Sequence, residues 1–177
     1  EADRVPMDFG SASPTAITMD AYQGLVDHLG VEAEVEYLSA MNQVVYPAEE
    51  VLRRFGIDTR GVIAGRYKGG HQKVVDDVTR IDEFGVTWRR AVGTATKHSL
   101  HVDGPFHGMA PDIDAIEGFA WPDPDNEGVV AGLRARVDAI KAAGDHAIVL
   151  YLPGGVIHRG YAMRGFERYL KDLYKAP

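Results

Sequence analysis

His158, Arg159 and Tyr161 lie close together near the C-terminal end of the chain, and their side chains can act on a polar substrate. Arginine is a fixed bidentate donor and histidine titrates near neutrality, so His158 and Arg159 could bind a carboxylate or supply a general acid. The phenol of Tyr161 could orient a substrate by hydrogen bonding. The alternatives are a surface ion pair for the first two residues and an ordinary amphipathic tyrosine at a helix start for the third.

A second group of polar residues contains His98, His101, His107 and Asp103. On a strand, His101 and Asp103 would share one face. The spacing of the histidines suits neither a strand nor the helical HExxH pattern, and the chain has no cysteine to supply a thiolate. We therefore predict no metal site in this chain alone.

The composition narrows the possible partners. The 177 residues are 45% hydrophobic and 25% charged, which is typical of a globular domain. A net charge of −7 argues against a general nucleic-acid or anionic-membrane surface, because both require clustered positive charge. No apolar run approaches the roughly 20 residues that span a bilayer. We expect a soluble cytoplasmic protein with a small-molecule or protein partner.

The elements that would position these residues begin with predicted helices. The spacing of apolar residues predicts a helix from Thr18 that ends at Gly30. A second, more acidic helix is predicted over residues 31–40, and a third begins at Pro47 and stops at Gly56. These helices would lie between two strands, which are listed next.

Strands are predicted on both sides of these helices and again in the middle of the chain. The alternation over residues 4–9 indicates a short strand, and residues 57–64 indicate another. Residues 81–88 and 94–102 resemble short strands joined by turns, so we interpret residues 79–104 as an inserted hairpin.

The last third of the chain has the clearest pattern. Residues 129–144 have helical spacing, and the continuous apolar run 147–152 is typical of a strand buried on both faces of a parallel sheet. The segment 153–155 (PGG) would leave that strand at its C-terminal end. A final helix follows, in which Glu167 and Lys171 form an i, i+4 pair.

Several stretches together resemble the uroporphyrinogen decarboxylase-like superfamily, which includes methylcobamide-dependent methyltransferases. They are 3–10 (DRVPMDFG), 50–60 (EVLRRFGIDTR), 83–88 (EFGVTW), 121–125 (WPDPD), 153–155 (PGG) and 164–167 (RGFE). The likeness extends over nearly the whole chain. Each motif alone is weak, and their order and spacing carry the resemblance.

The resemblance implies an α/β fold: the N-terminal portion of a (β/α)₈ TIM barrel with an inserted β-hairpin, in which residues 1–177 form a single domain. A complete barrel typically needs about 250 residues. The chain begins at Glu1 and ends at Pro177 directly after a helical pattern, so we interpret it as a fragment or processed product. A complementary C-terminal barrel half or a second copy of the chain is then a possible partner.

The resemblance also assigns roles to individual residues. Tyr161 resembles the substrate-facing tyrosine of the decarboxylase, and Asp58 resembles the loop aspartate that accepts hydrogen bonds from pyrrole nitrogens. The alternative for Asp58 is capping of a turn. Asp8 and Phe9 lie at the position of the substrate-binding N-terminal loop, although this loop carries no arginine here. We therefore predict Tyr161, His158 and Asp58 as catalytic, with Arg159, Asp8 and Phe9 binding substrate.

Three functions remain open. The methyltransferase branch of the family implies transfer of a methyl group from a small methylated compound to a corrinoid protein, with zinc held by His and Cys residues in the half that this chain lacks. No cofactor would be bound by this chain alone. Tetrapyrrole decarboxylation is a second hypothesis, opposed by the missing arginines because a substrate with many carboxylates needs cationic partners. A non-catalytic half-barrel subunit or binding module is the third.

Overall fold

A computed structural model describes residues 4–39, 42–93, 98–110, 112–152 and 154–175. The chain divides into two compact units, which are described separately. The first comprises residues 1–65 and 130–152, and the second comprises residues 66–129 and 153–177. No helix among the described residues is both long enough and apolar enough to cross a membrane.

The two units are built from short strands and helices. The strands are β1 (Ile17–Thr18), β2 (Glu36–Ser39), β3 (Val44–Tyr46), β4 (Thr59–Ile63), β5 (Lys73–Val74), β6 (Thr79–Ile81), β7 (Thr87–Arg90), β8 (Ser99–Asp103) and β9 (Ala147–Tyr151). The helices are α1 (Met19–Leu29), α2 (Glu49–Arg54), α3 (Ile113–Glu117), α4 (Glu127–Val130), α5 (Leu133–Ala143), α6 (Val156–Arg164) and α7 (Phe166–Lys175).

The core of the first unit forms around α1 and a small antiparallel sheet of order β1-β3-β2. Tyr22 and Val26 lie one turn apart on α1 and are buried against Val45 of β3. The hydroxyl of Tyr22 accepts a hydrogen bond from the backbone N–H of Ala48 at 2.8 Å, which fixes the start of α2. Gly30 ends α1 with φ of 67°, a conformation in which glycine has no Cβ penalty.

The parallel pair of the first unit joins β4 to β9, so that Thr59 is opposite Ala147 and Ile63 is opposite Tyr151. Helix α5 precedes β9 and packs on β4. Gly61 of β4 approaches the backbone of Ser11 so closely that a Cβ added to it would lie 2.6 Å from the Ser11 carbonyl oxygen. The centre of β4 therefore requires a residue without a side chain.

The second unit contains an antiparallel sheet of order β5-β6-β7-β8 and the helices α6 and α7. Val86 and Trp88, at the start of β7, are its most buried apolar residues in the sheet region. Outside the sheet, the side-chain amide of Asn126 accepts from the backbone N–H of Lys68 and donates to the Lys68 carbonyl. This two-way contact copies a β-bridge and ties two loops of the unit together.

The predicted partial (β/α)₈ barrel is wrong. The structure is a mixed α/β arrangement of three small sheets that are mostly antiparallel. Among the described residues, β4 and β9 alone pair in parallel; a barrel would need parallel strands alternating with helices throughout. Short strands joined by turns pair with their sequence neighbours, and this local pairing produces the antiparallel sheets.

Two local predictions are also wrong. Residues 31–40 were expected to form an acidic helix, but β2 occupies Glu36–Ser39 and pairs with β3; residue 40 lies outside the described range. Residues 4–9 form no strand. Side-chain contacts hold that segment instead, because Asp58 accepts a hydrogen bond from the backbone N–H of Met7.

Two predictions in the C-terminal third need correction. The helix expected over residues 129–144 is interrupted at Gly132, which has φ of 76°, so α4 and α5 are separate. The apolar run forms β9 as predicted, but Leu150 and Leu152 are 54% and 64% exposed, so burial on both faces is wrong. The turn residue Pro153 lies outside the described part of the chain.

The remaining predicted elements are confirmed. The structure contains α1, α2, β4 and α7 close to their expected bounds, and Lys171 pairs with Glu167 at 2.5 Å on α7. The short central strands are present as β6, β7 and β8, although residues 94–97 of the expected second strand lie outside the described range. Helix α6, which carries His158 and Tyr161, was predicted as a strand-to-helix connection rather than a helix.

Candidate functional site

Three polar rings of the second unit lie against one another. His158 and Tyr161 are three residues apart on α6 and therefore share a face, with ring centroids 5.0 Å apart. His101 of β8 lies 5.3 Å from Tyr161. All three side chains are half-buried. We call His101, His158 and Tyr161 the imidazole–phenol cluster.

The cluster rests on the indole of Trp88. Trp88 and His101 are directly opposite in the antiparallel pairing of β7 with β8, and their rings meet edge to face at 5.8 Å. The imidazole of His158 stacks on the same indole, with an interplanar angle of 23°. Trp88 is only 4% exposed, so both imidazoles pack against a buried indole.

Asp82 connects the indole of Trp88 to α6. Its Oδ1 accepts hydrogen bonds from the backbone N–H groups of Phe84 and Val86 at 2.9 and 3.0 Å. Its Oδ2 accepts from Trp88 Nε1 at 2.8 Å and from Arg159 Nη1 at 2.7 Å. One carboxylate therefore connects the turn before β7, the indole and the helix that carries His158.

The environment keeps the two imidazoles neutral. Burial, followed by the neighbouring His158 and His107, lowers the pKa of His101 below its usual value of 6.5. Burial and the charge of Arg159 lower the pKa of His158, and the carboxylate of Asp82 only partly opposes them. At neutral pH both rings can therefore accept a proton or a hydrogen bond, and neither presents a fixed positive charge.

Arg159 is engaged within the protein. Its guanidinium pairs with Asp82, lies 3.8 Å from Glu83 and stacks 4.2 Å over the ring of Phe84. Only 19% of the side chain is exposed. Its contacts are those of an anchor for α6, and its predicted role in substrate binding stays a prediction.

The other predicted site residues lie in the first unit. Asp58 accepts from the backbone of Met7 at 2.7 Å and pairs with Arg4, and these contacts lower its pKa. Asp8 accepts from the hydroxyls of Thr59 at 2.5 Å and Ser11 at 2.8 Å. Both carboxylates therefore hold the N-terminal segment against β4.

The pKa of Asp8 is lowered as well. Burial raises it, but the hydrogen bonds from Thr59 and Ser11 together outweigh that effect. Phe9 is half-buried and packs against the core of the first unit. The structure thus places Tyr161, His158 and Arg159 together in one unit, and Asp58, Asp8 and Phe9 in the other.

The sequence did not predict three features of this site: the contact of His101 with Tyr161, the packing of both imidazoles on Trp88, and the hydrogen bonds of Asp82 to Trp88 and Arg159. The signal for Trp88 was present, because its alternation with Val86 in a short strand predicts one buried face. No signal in the sequence fixes the pairing of Trp88 with His101, which depends on strand register.

Metal binding is not supported by the described residues, which contain no group of three or more His, Cys, Asp or Glu placed to hold an ion. His107 instead places its Nδ1 3.3 Å from Asp103, and its Nε2 is buried with no hydrogen-bond partner.

The chain matches no protein-family model, no curated protein and no solved structure.

Proposed function

We propose that the protein is an enzyme related to the uroporphyrinogen decarboxylase-like methyltransferases, and that it acts on a small methylated compound whose methyl group passes to a corrinoid held by a partner protein. The proposal rests on the ordered sequence motifs of that superfamily. The observation that carries it is the imidazole–phenol cluster, in which two imidazoles pack against one buried indole and the phenol of Tyr161 contacts both imidazoles.

The cluster suits the binding of a polar heteroatom beside an apolar body. Tyr161 can donate its hydroxyl proton to the oxygen or nitrogen that loses the methyl group, and a neutral imidazole can donate or accept beside it. The ring of Phe166, 5.4 Å from Tyr161, adds an apolar wall. The corrinoid supplies the nucleophile for the methyl group when its carrier is bound.

A porphyrinogen substrate is less well supported. Residues 8–13 contain Asp8 and no cationic residue, and this carboxylate is already engaged by Thr59 and Ser11. A substrate that carries several carboxylates would lose its hydration here without gaining cationic partners. Arg159, which follows His158 on α6, already pairs with Asp82.

The test is methyl transfer to cob(I)alamin, followed by its visible spectrum, with methoxylated aromatics and methylamines as donors. We expect Tyr161→Phe to lower kcat about 10²-fold, as is typical for loss of a general acid. Tyr174→Phe is the matched control, because that side chain is 88% exposed. Decarboxylation of a porphyrinogen with no reaction of any methyl donor would overturn the proposal.

A second candidate is a non-catalytic subunit completed by another chain, and one observation favours it. Helix α7 exposes an apolar stripe in which Phe166, Leu170 and Leu173 are 57%, 48% and 54% exposed. Sedimentation velocity separates the two candidates. A monodisperse monomer that unfolds cooperatively and retains methyl-transfer activity would exclude the requirement for a second chain.

A further inference from the structure

The first unit contains a cavity of about 380 Å³ whose residues take no part in the imidazole–phenol cluster. Its walls come from the segment before β2, from the end of β3, from α5 and from the residue before β9. The residues that matter for binding are Glu34, Glu36, Tyr46, Arg136, Ile140 and His146. The volume falls within the range of small-molecule sites.

One charged pair in the cavity wall is already satisfied. Arg60 is 3% exposed and donates from Nε and Nη2 to the two carboxylate oxygens of Glu49, at 2.8 and 2.9 Å. Its Nη1 donates to the backbone carbonyls of Ile57 and Thr59. Arg60 and Glu49 therefore neutralise each other, and neither is the natural partner of a ligand.

The second arginine is partly engaged. The guanidinium of Arg136 lies 5.0 Å over the ring of Tyr46, and its Nε donates to the Gly61 carbonyl at 3.3 Å. Its Nη1 is 3.7 Å from a carboxylate oxygen of Glu36, so these two charges largely balance. The hydroxyl of Tyr46 accepts from the backbone N–H of Gly61, and its own proton remains available.

The carboxylate of Glu34 is the one glutamate charge in the cavity wall that neither arginine balances. Within the part of the chain that the structure describes, its carboxylate makes no hydrogen bond or ion pair, and it lines the cavity. The three glutamates outnumber the two arginines in the wall, so the cavity is net negative when His146 is neutral. Besides Arg136, helix α5 lines the cavity with the apolar side chains of Ala139, Ile140 and Ala143.

These features specify the class of ligand. A carboxylate acceptor without a partner favours a cation, and an apolar wall favours a carbon body attached to it. The described residues contain no group of three or more His, Cys, Asp or Glu placed to hold a metal ion, and the apolar side chains of α5 favour an organic cation. We propose that this cavity binds a small alkylammonium ion, with its nitrogen at Glu34 and its alkyl chain along α5. This inference does not depend on the proposed function.

The test uses n-pentylammonium as the probe in ¹H–¹⁵N correlation spectra of the 177-residue chain. We expect saturable shifts at Glu36, Tyr46 and Arg136. Pentanoate and pentanol have the same shape with a negative or no charge, so we expect neither to produce these shifts. Binding that is equally strong for pentanoate would overturn the proposal, because the cavity would then select an anion through Arg136.

Two variants locate the site. Glu34→Gln should raise the Kd of pentylammonium about tenfold, which is the typical effect of losing one charge-assisted hydrogen bond. The matched control is Glu32→Gln, because Glu32 is also an exposed glutamate and does not line the cavity. Ala139→Phe should abolish binding by filling the cavity from α5. Equal affinities for Glu34→Gln and Glu32→Gln, or binding that survives Ala139→Phe, would contradict the assignment.

Discussion

The chemistry of His101 and His158 depends on their neutrality. Each imidazole lies against the buried indole of Trp88, and burial is the main reason that both pKa values fall below 6.5. Protonation of one ring also disfavours protonation of the other, because the two positive charges would meet beside Tyr161. A base that stays unprotonated at neutral pH is suited to accept a proton from a substrate or a phenol.

The first prediction concerns the titration of these rings. In ¹H–¹³C spectra, the Cε1–H signals of His101 and His158 should titrate with midpoints below 6.5, while a histidine in an unstructured peptide titrates near 6.5. The unfolded chain binds these protons first as the pH falls, so the stability contributed by the neutral rings is present above about pH 6.5 and decreases below it. Midpoints above 6.5 would contradict the burial argument.

The second prediction concerns Asp82. Replacement by alanine removes four acceptor contacts, leaves Trp88 Nε1 without its acceptor and leaves the Arg159 guanidinium with only the longer ion pair to Glu83. We expect a loss of about 3–5 kcal/mol in the free energy of unfolding, as when a buried ion pair is broken. Urea unfolding measures it. Asp77→Ala, at an exposed position, should change stability by less than about 0.5 kcal/mol.

At the scale of elements, β4 is the most constrained strand. Its residues are largely buried, and at its centre the backbone of Ser11 and the ring of Tyr46 occupy the space that a side chain on Gly61 would need. Such a strand tolerates little change in volume, because neither neighbour is the free end of a flexible side chain.

The third prediction follows from that crowding. Gly61→Ala should destabilise the protein by about 1–3 kcal/mol, since the new Cβ would lie 2.6 Å from the Ser11 carbonyl oxygen. Gly24→Ala is the matched control: Gly24 lies within α1, with no atom within 4 Å of an added Cβ. That change should stabilise α1 by about 0.5–1 kcal/mol. Thermal unfolding of the two variants should move in opposite directions.

The fourth prediction concerns the connection of α2 to β4. The hydrogen bonds and charge of Arg60 lower the pKa of Glu49 below 4.5, so the ionised pair contributes stability above about pH 4.5 and loses it as the pH falls further. Glu49→Gln should cost about 1–3 kcal/mol at pH 7, because Arg60 stays buried without its partner.

Urea unfolding across a pH series measures this effect. The difference between the wild type and Glu49→Gln should shrink as the pH falls below 4.5. The exposed neighbour provides the control, since Glu50→Gln should be neutral within about 0.5 kcal/mol at either pH. A pH-independent cost for Glu49→Gln would mean that the charge of Glu49 is not what stabilises Arg60.

Particular elements show what the sequence could predict. Helices α1 and α7 carry their own periodicity, and α1 has a glycine stop, so both were predicted from local pattern. Segment 31–40 is acidic enough to suggest a helix, but pairing with β3 overrides that preference. Gly132 lies inside an otherwise helical pattern, and its positive φ separates α4 from α5.

The candidate site was predictable only where its residues are close in sequence. Closeness in sequence placed His158, Arg159 and Tyr161 together, and their neighbourhood on α6 follows from it. Their contacts with Trp88 and His101 depend on the register between β7 and β8, which includes an irregularity between Thr87 and Trp88. A register that shifts within a strand pair cannot be obtained from residue types alone.

At the scale of the whole molecule, the topology of the sheets differs from that of the expected barrel. The apolar run 147–152 indicated a parallel sheet, and the family resemblance implied the barrel. The strand in that run, β9, does pair in parallel with β4, but the sheets formed by the other described strands are antiparallel. Residue-level motifs and the global topology are therefore separate evidence: the motifs support the proposed function, and the topology of this chain does not add to that support.

The pairing of Thr59 with Ala147 joins two segments that are far apart in the chain, and this separation limits when the first unit can form during synthesis. The first unit is discontinuous: its opening segment ends at residue 65, and its closing segment begins only at residue 130. During translation, β4 is made well before its partner β9, so α5 and then β9 are the last elements of that unit to be synthesised. When residues 1–129 are expressed alone, the NMR signals of residues 1–65 should be poorly dispersed, and adding a peptide of residues 130–152 should restore the dispersion of those signals.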